Sequence, residues 1–473
     1  KRKTMNLLKY VCLPSLFVLG ETQIAEAVDN KTTDKNPNIL VILIDDAGYN
    51  DFGFMGSKEM QTPNIDALSD EGVVFTDAHV AATVSSPSRA CLITGRYGHR
   101  FGYECNLSNR NNGLPLTEET IADVFKANGY RTAAIGKWHL GSKDELHPNR
   151  RGFDLFYGMK AGGRDYFYDE KKSDRPGDER NLLLNDRQVK FDNYLTDAFS
   201  EKAVEFINES SQPFMMYLSY NAVHTPMQAT AEDLAKFEGH PRQKLAAMTY
   251  ALDRGVGTVV RGLKESGKFD NTLIFFLSDN GGATTNQSSN YPLKGFKGNK
   301  FEGGHRVPYF VVWKNGISAG KHYDGLVSSL DIFATAIDAA GISKTRNKLD
   351  GVSLLPYLKG KKGEPHEVLY WRKMDTRAIR SGDYKLIITY GVDSVLYNIR
   401  KDPEEMDNLI LKKLGLYRKL AKKLYQWEKN ECITPLWIEE GWGKITNGYH
   451  QRLMHNEIKT AQDLHKKKQQ VGK

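Results

Sequence analysis

Four apolar runs in this 473-residue chain are each followed by residues able to bind a metal or move a proton. Asp45 and Asp46 follow residues 38–44, Lys137 and His139 follow 132–135, His224 follows 214–219, and Asp279 and Asn280 follow 272–277. Asp45, Asp46, Asp279 and Asn280 offer hard oxygen donors with no cysteine among them, a set suited to Ca²⁺, less well to Mg²⁺, and poorly to zinc. Either acidic pair alone would serve equally to cap a turn. Two such pairs at the ends of two runs, with lysine and histidine at the ends of two others, make a convergent constellation. A fifth feature is Ser85-Ser-Pro-Ser-Arg89, running on to Thr94-Gly-Arg96. Proline after an extended segment and before a helix-compatible run places a hydroxyl at a helix N-terminus. An unmodified serine is a weak nucleophile at neutral pH, so Ser85 needs activation.

The elements that must position these residues follow from the hydrophobic pattern. Residues 38–44 form a continuous branched apolar run, as in a strand buried on both faces. A helix is predicted over 116–129, capped by Thr117 and ended by Gly129, and then a strand over 132–135. Helices over 199–207 and along Leu245, Met248, Leu252, Val256, Val259 and Leu263 lead into strands at 214–219 and 272–277, and 308–313 reads as another strand. This alternation predicts an α/β fold with a large, mostly parallel sheet sandwiched by helices. In such a sheet, ligands collect beyond the C-terminal strand ends, where the residues above lie. The pattern changes near residue 364. Short strands at 368–371, 384–388 and 395–397 and a helix over 406–428 predict a smaller C-terminal α+β subdomain over 364–473 with a basic tail, packed on a catalytic domain over 28–363.

Composition narrows the class. An apolar content of 40% with 26% charged residues is ordinary for a globular protein, and a net charge of +8 permits an anionic substrate without demanding one. No basic stripe with interleaved aromatics points to nucleic acid. Lys1, Arg2 and Lys3, an apolar run over 10–20, and Ala25-Glu26-Ala27 read as a signal peptide over 1–27, giving an exported protein beginning near Val28. The run is shorter than the roughly 20 residues of a membrane span, and no other segment is apolar enough for one. After the leader, Cys91, Cys105 and Cys432 remain, an odd number that allows one disulfide pair at most.

The segment from Ser85 to Arg96 resembles the signature of the type I sulfatases, in which Cys or Ser is followed by x-Pro-Ser-Arg and then Thr-Gly-Arg. Other stations match in order: Ile44-Asp45-Asp46, Gly136-Lys137-Trp138-His139-Leu140-Gly141, Arg151-Gly-Phe-Asp154, His224-Thr-Pro226, Ser278-Asp279-Asn280-Gly-Gly282, Lys297-Gly-x-x-x-Glu302-Gly-Gly-His-Arg-Val-Pro308, and Leu396-Tyr-Asn-x-x-x-Asp-Pro403. The likeness covers almost the whole chain beyond the leader. It implies a place in the alkaline-phosphatase superfamily, whose fold agrees with the sheet predicted above.

The resemblance implies a mechanism. Ser85 would be oxidised to formylglycine (3-oxoalanine), whose hydrate attacks sulfur. Ca²⁺ would be held by Asp45, Asp46, Asp279, Asn280 and the modified Ser85. Arg89 and Lys137 would hold the diol, while Lys297 and His224 would contact the sulfate. His224 would protonate the departing sugar alkoxide, and His139 would take the proton that lets sulfate leave. In the family, a serine at this position is oxidised by an anaerobic radical maturase found in bacteria, which makes the maturase a transient partner and, with the leader, implies the periplasm. Glu302, Gly303 and Gly304 read as turn architecture. The implied substrate is a sulfated saccharide, with exo action on sulfated galactose or N-acetylhexosamine units expected. Candidate sugar contacts are His99, Arg100, Lys160, Arg164, Asp165 and Arg372. The alternatives are a phosphodiesterase or phosphonate hydrolase of the same superfamily, or an unmatured protein that binds sulfated glycans.

Overall fold

The computed structural model describes residues 36–464. The expected signal peptide and the lysines of the basic tail fall outside them. At the centre lies Asn38–Ile44, parallel to Thr272–Ser278 on one side and to Phe214–Ser219 on the other. Arg131–Lys137 and Leu155–Met159 continue the parallel sheet beyond Phe214–Ser219. On the opposite side Tyr309–Val312 runs antiparallel, and short edge strands complete ten in all. The expected parallel core is present, with reversal confined to its margins.

The period-two geometry of a strand explains the double burial. Leu40, Ile42 and Ile44 enter one apolar cluster, with the helices Leu195–Glu209 and Gln243–Glu265. Ile39, Val41 and Leu43 enter the other, with Ser85–Thr94, Ile121–Ala127 and Asp331–Ala339. Each branched side chain buried in this way contributes roughly 1.5–3 kcal/mol, so the strand carrying Asp45 and Asp46 is a rigid base for them.

Two predicted helices are shorter than expected. The helix expected over 116–129 is Ile121–Ala127, capped by Thr120 and not Thr117, in a capping box with Asp123. Residues before it are held otherwise: the Glu118 carboxylate pairs with Arg96 and its carbonyl accepts from Arg151. The helix expected over 406–428 is Leu414–Glu431. Asp402 accepts the backbone N–H groups of Met406 and Asp407, and Asn408 accepts those of Leu396 and Ile410. Such local bonds compete with a helical ladder and hold the segment as a loop.

The C-terminal sheet is antiparallel, with strands Val368–Lys373, Thr376–Ser381, Tyr384–Thr389 and Asp393–Asn398. Its second strand was not predicted, because Thr376-Arg-Ala-Ile-Arg-Ser381 reads as polar. The arginines are nevertheless buried, Arg377 against Glu428 and Arg380 against Asp77. Helix Leu414–Glu431 covers one face of this sheet through Leu420, Leu424 and Trp427. An unpredicted helix, Glu440–Met454, covers the other through Leu453 and Met454, together with Phe296 and Phe301 of the preceding domain. Residues 36–464 form one compact unit. Among the described residues no helix is long and apolar enough to cross a membrane, and Cys91, Cys105 and Cys432 are unpaired.

Candidate active site

The parallel strands deliver their terminal residues to one place. Asp45 and Asp46 leave Asn38–Ile44, Asp279 leaves Thr272–Ser278, and Lys137 ends Arg131–Lys137. The strands Arg131–Lys137 and Phe214–Ser219 approach closely at Gly136, where a Cβ would lie 1.9 Å from the Ser219 carbonyl oxygen. Asp46 and His139 both take left-handed backbone (φ 63° and 56°), a conformation disfavoured for side-chain-bearing residues and held here by their surroundings.

Ser85 opens the helix Ser85–Thr94, all of whose residues are buried. Its hydroxyl donates to Asp45 Oδ1 at 3.1 Å and to Asp279 Oδ2. Lys137 Nζ lies 3.3 Å from the same oxygen and 2.6 Å from Asp45 Oδ2. Arg89, one turn on, donates to Asp279 Oδ2 from Nε at 3.1 Å and Nη2 at 2.8 Å, and to Ser219 Oγ. Lys297 Nζ donates to Asp46 Oδ1 at 2.6 Å. The Ser85 oxygen thus lies at a helix N-terminus beside Lys137, while Arg89 and Lys297 pair with the neighbouring Asp279 and Asp46, so three cations balance three carboxylates around it.

The electrostatics keep these charges in place. Burial opposes ionisation of Asp45, yet Lys137, His224 and Arg89 outweigh it and hold the carboxyl below the usual carboxylate range. Asp46 is lowered in the same way, burial being overcome by Lys297 and His224. Burial also works against Lys297, but Asp46, Asp45 and Asp279 raise it above an ordinary lysine. Burial together with Lys137, Arg89, Lys297 and His224 drives His139 well below the usual histidine range, so its ring is neutral. His224 Nδ1 meets the Thr225 carbonyl at 2.7 Å, which fixes that nitrogen as the donor. His224 Nε2 is left facing Asp46 Oδ2 at 3.7 Å.

The donor set fits a hard divalent cation. Asn280 Nδ2 donates to Asp46 Oδ1 at 2.7 Å, whereas Asn280 Oδ1 is buried without a hydrogen-bond partner. A buried carbonyl oxygen left unpaired is costly, and here it accompanies the carboxylates that meet at Ser85. Asp45, Asp46 and His224 offer ligand atoms within 4.8 Å of one another.

A cavity of about 310 Å³ opens from this cluster. Asp46, His224 and Lys297 form its base. None of the predicted sugar contacts lines it. His99 Nε2 is bonded to the Arg372 carbonyl, Arg100 pairs with Asp350 and Glu431, and Arg372 pairs with Glu104, all in the seam beside helix Leu414–Glu431. Arg164 is buried against both oxygens of Asp174, and Asp165 accepts from Ser173 and Gln228. These two support the loop behind the histidines, where a Cβ on Gly162 would lie 2.6 Å from His139 Nε2. Lys160 lines a different cavity, with Arg110 and Glu179. Sequence reasoning missed Asn106, whose Oδ1 accepts the Ser86 N–H at 3.0 Å, and the wall formed by Lys373, Glu439, Trp442, Thr446 and Tyr449. The spacing of Trp442, Thr446 and Tyr449 is that of one helical face, a signal present in the sequence.

Comparisons with known proteins agree with this site. The family model described as Sulfatase matches residues 37–342, and that described as N-sulphoglucosamine sulphohydrolase, C-terminal, matches 297–430. The chain is 36% identical over 399 residues to the uncharacterized sulfatase YdeN of Escherichia coli (strain K12), covering 72% of this chain and 69% of YdeN. It is 34% identical to arylsulfatase G of Mus musculus, covering 73% of each. Among solved structures it is similar to Ps i-CgsB in complex with k-i-k-neocarrahexaose, with a TM-score of 0.82 and 39% identity over 87% of this chain and 96% of that one. The chain belongs to the sulfatase family of the alkaline-phosphatase superfamily, and it is a sulfate ester hydrolase.

Proposed function

We propose that the protein hydrolyses sulfate esters on carbohydrate, with Ser85 oxidised to formylglycine as the source of the nucleophile and Ca²⁺ at the strand ends. The carrying observation is the placement of the Ser85 oxygen. It sits at a helix N-terminus against Asp45 and Asp279, with Lys137 Nζ at 3.3 Å and the unpaired Asn280 carbonyl oxygen in the same cluster. Asp45, Asp46, Asp279 and Asn280 would hold the ion, which supplies Lewis acidity and a template for the sulfuryl oxygens. The hydrated aldehyde supplies the attacking oxygen that serine alone provides poorly.

The chain's own residues do the rest. Arg89 and Lys137 neutralise charge at the nucleophile, and Lys297 does so at the sulfate. His224, donating from Nδ1 to Thr225, presents Nε2 to the cavity, from which a proton can pass to the departing sugar oxygen. Neutral His139 can accept the proton whose removal releases sulfate. Lys137 and Lys297 pair with Asp45 and Asp46 and so supply positive charge there as side chains, which favours a monoanionic sulfate over a phosphate ester.

Sulfated saccharide is the substrate class favoured by a cavity at the lower end of the ligand-pocket range, with room for a sugar ring and its sulfate, and by the neocarrahexaose bound to Ps i-CgsB. The walled cavity favours exo action. The test is release of inorganic sulfate from sulfated galactose and N-acetylhexosamine derivatives, with matched phosphate esters alongside. Ca²⁺-dependent sulfate release that stops in excess chelator is expected. Preferential phosphate release, or full turnover in chelator, would overturn the reading.

A further inference from the structure

The helix Glu440–Met454 is held against the active site by buried contacts, while one of its faces is left open. His450 is buried and its Nε2 accepts the Lys300 N–H at 3.0 Å, three residues beyond the sulfate-facing Lys297. Leu453 and Met454 complete the core that contains Phe296. At the start of the helix, Glu439 pairs with Lys373 at 2.7 Å. These contacts dock the helix on the segment that carries Lys297.

Trp442, Thr446 and Tyr449 follow one another at helical spacing and line the cavity whose base is Asp46, His224 and Lys297. Trp442 is 60% exposed and belongs to no apolar cluster. A large aromatic left exposed on a rigid helix, opposite a charged reaction centre, is arranged for a ligand with one apolar and one polar side. A pyranose ring has that character. Its C–H face can lie on an indole while its hydroxyls reach the Lys373–Glu439 pair and Thr446.

We propose that Trp442, supported by Tyr449 on the same helical face, is the saccharide platform of this enzyme. It stacks on the ring that carries or adjoins the scissile sulfate and thereby selects sugar sulfates over simple aryl sulfates. This inference rests on the sulfatase reading and adds the residue that recognises the leaving group.

The experiment compares Trp442→Ala and Trp442→Phe in the full matured chain, by sulfate release from k-i-k-neocarrahexaose, N-acetylgalactosamine 6-sulfate and 4-nitrophenyl sulfate. Trp442→Ala should raise KM for an accepted saccharide by about tenfold more than for the nitrophenyl ester, and Trp442→Phe should restore most of the difference. Equal losses on both substrate types, or no loss on either, would overturn the platform. Should the wild-type chain release sulfate from none of them, the sulfatase reading fails first. Intrinsic fluorescence of Ser85→Ala protein titrated with the same saccharides then tests the platform alone. A spectral change abolished by adding Trp442→Phe supports it, and a change that persists, or no response to any saccharide, overturns it.

Discussion

Among the described residues, two buried clusters of charge can be set side by side: one opens on a cavity, and in the other a lysine bridges the acidic groups. In the first, Asp45, Asp46 and Asp279 meet Arg89, Lys137 and Lys297, the Asn280 carbonyl oxygen is left without a donor, and a cavity opens beyond. In the second, Lys385 Nζ lies 2.7 Å from Glu302, 2.9 Å from Glu405 and 3.1 Å from His305 Nε2, while His79 joins His305 to Asp77. His79, Glu302 and His305 have the spacing of a metal site. The ammonium of Lys385 already bridges two of these three, Glu302 and His305. This network ties the C-terminal sheet to the main domain through Glu302, which meets Lys385 and Glu405. An incomplete cluster is available for chemistry, whereas a closed one holds parts together.

The sharpest way to break that contrast is at the nucleophile. Ser85→Ala should reduce sulfate turnover on the order of 10⁴-fold or more while leaving the thermal transition in place. Asp279→Ala should cost at least about 10³-fold in kcat/KM. Lys385→Met should do the reverse. It strands Glu302 and Glu405 without their cation, lowering stability by about 3–5 kcal/mol in denaturant titration, with kcat of the folded enzyme retained. Comparable loss of kcat in Lys385→Met would remove the distinction between the clusters.

The two histidines sharpen the account further. His224→Ala should slow sugar sulfates about 10²-fold more than 4-nitrophenyl sulfate, whose phenolate leaves without a proton. His139→Ala should affect both substrates alike and let a covalent sulfo-enzyme accumulate, visible by mass spectrometry. Equal damage to both substrates by both variants would cancel these roles.

The smallest effect belongs to the closed cluster. Burial, reinforced by Glu302 and opposed by Lys385, raises Glu405 from 4.5 to about 7. The folded chain therefore holds a proton that the unfolded chain releases. The stabilisation is full below the ordinary glutamate value and is lost as pH rises through about 7. Stability should fall by about 1–2 kcal/mol between pH 5 and 7, and Glu405→Gln should flatten that slope.

How much of this was legible in the sequence depends on where each residue sits. The gathering of Asp45, Asp46, Lys137, His224, Asp279 and Asn280 in one place could be read because strands buried on both faces leave a clear apolar signature, and a parallel sheet brings together the residues at its C-terminal strand ends. Arg164 and Arg372 misled because an arginine in a loop reads as exposed. Asp174 and Glu104, ten residues downstream and far upstream respectively, are what bury them, and no local pattern encodes those pairings. Trp442 was missed for a related reason. Its helix reaches the cavity by docking on Phe296, Lys300 and Lys373, so its place there depends on tertiary contacts.

The central claim, that Ser85 is converted before it acts, is tested most directly by the mass of the peptide that contains it, measured alongside sulfate turnover in the same preparation. In a host that carries out serine-type maturation, active protein should hold Ser85 about 2 Da below its encoded mass, or about 16 Da above as the hydrate. In a host that converts only cysteine, the encoded chain should be inactive and Ser85→Cys should gain activity. High sulfatase turnover by protein whose Ser85 is wholly unmodified would contradict the account and place the chemistry on the serine hydroxyl itself.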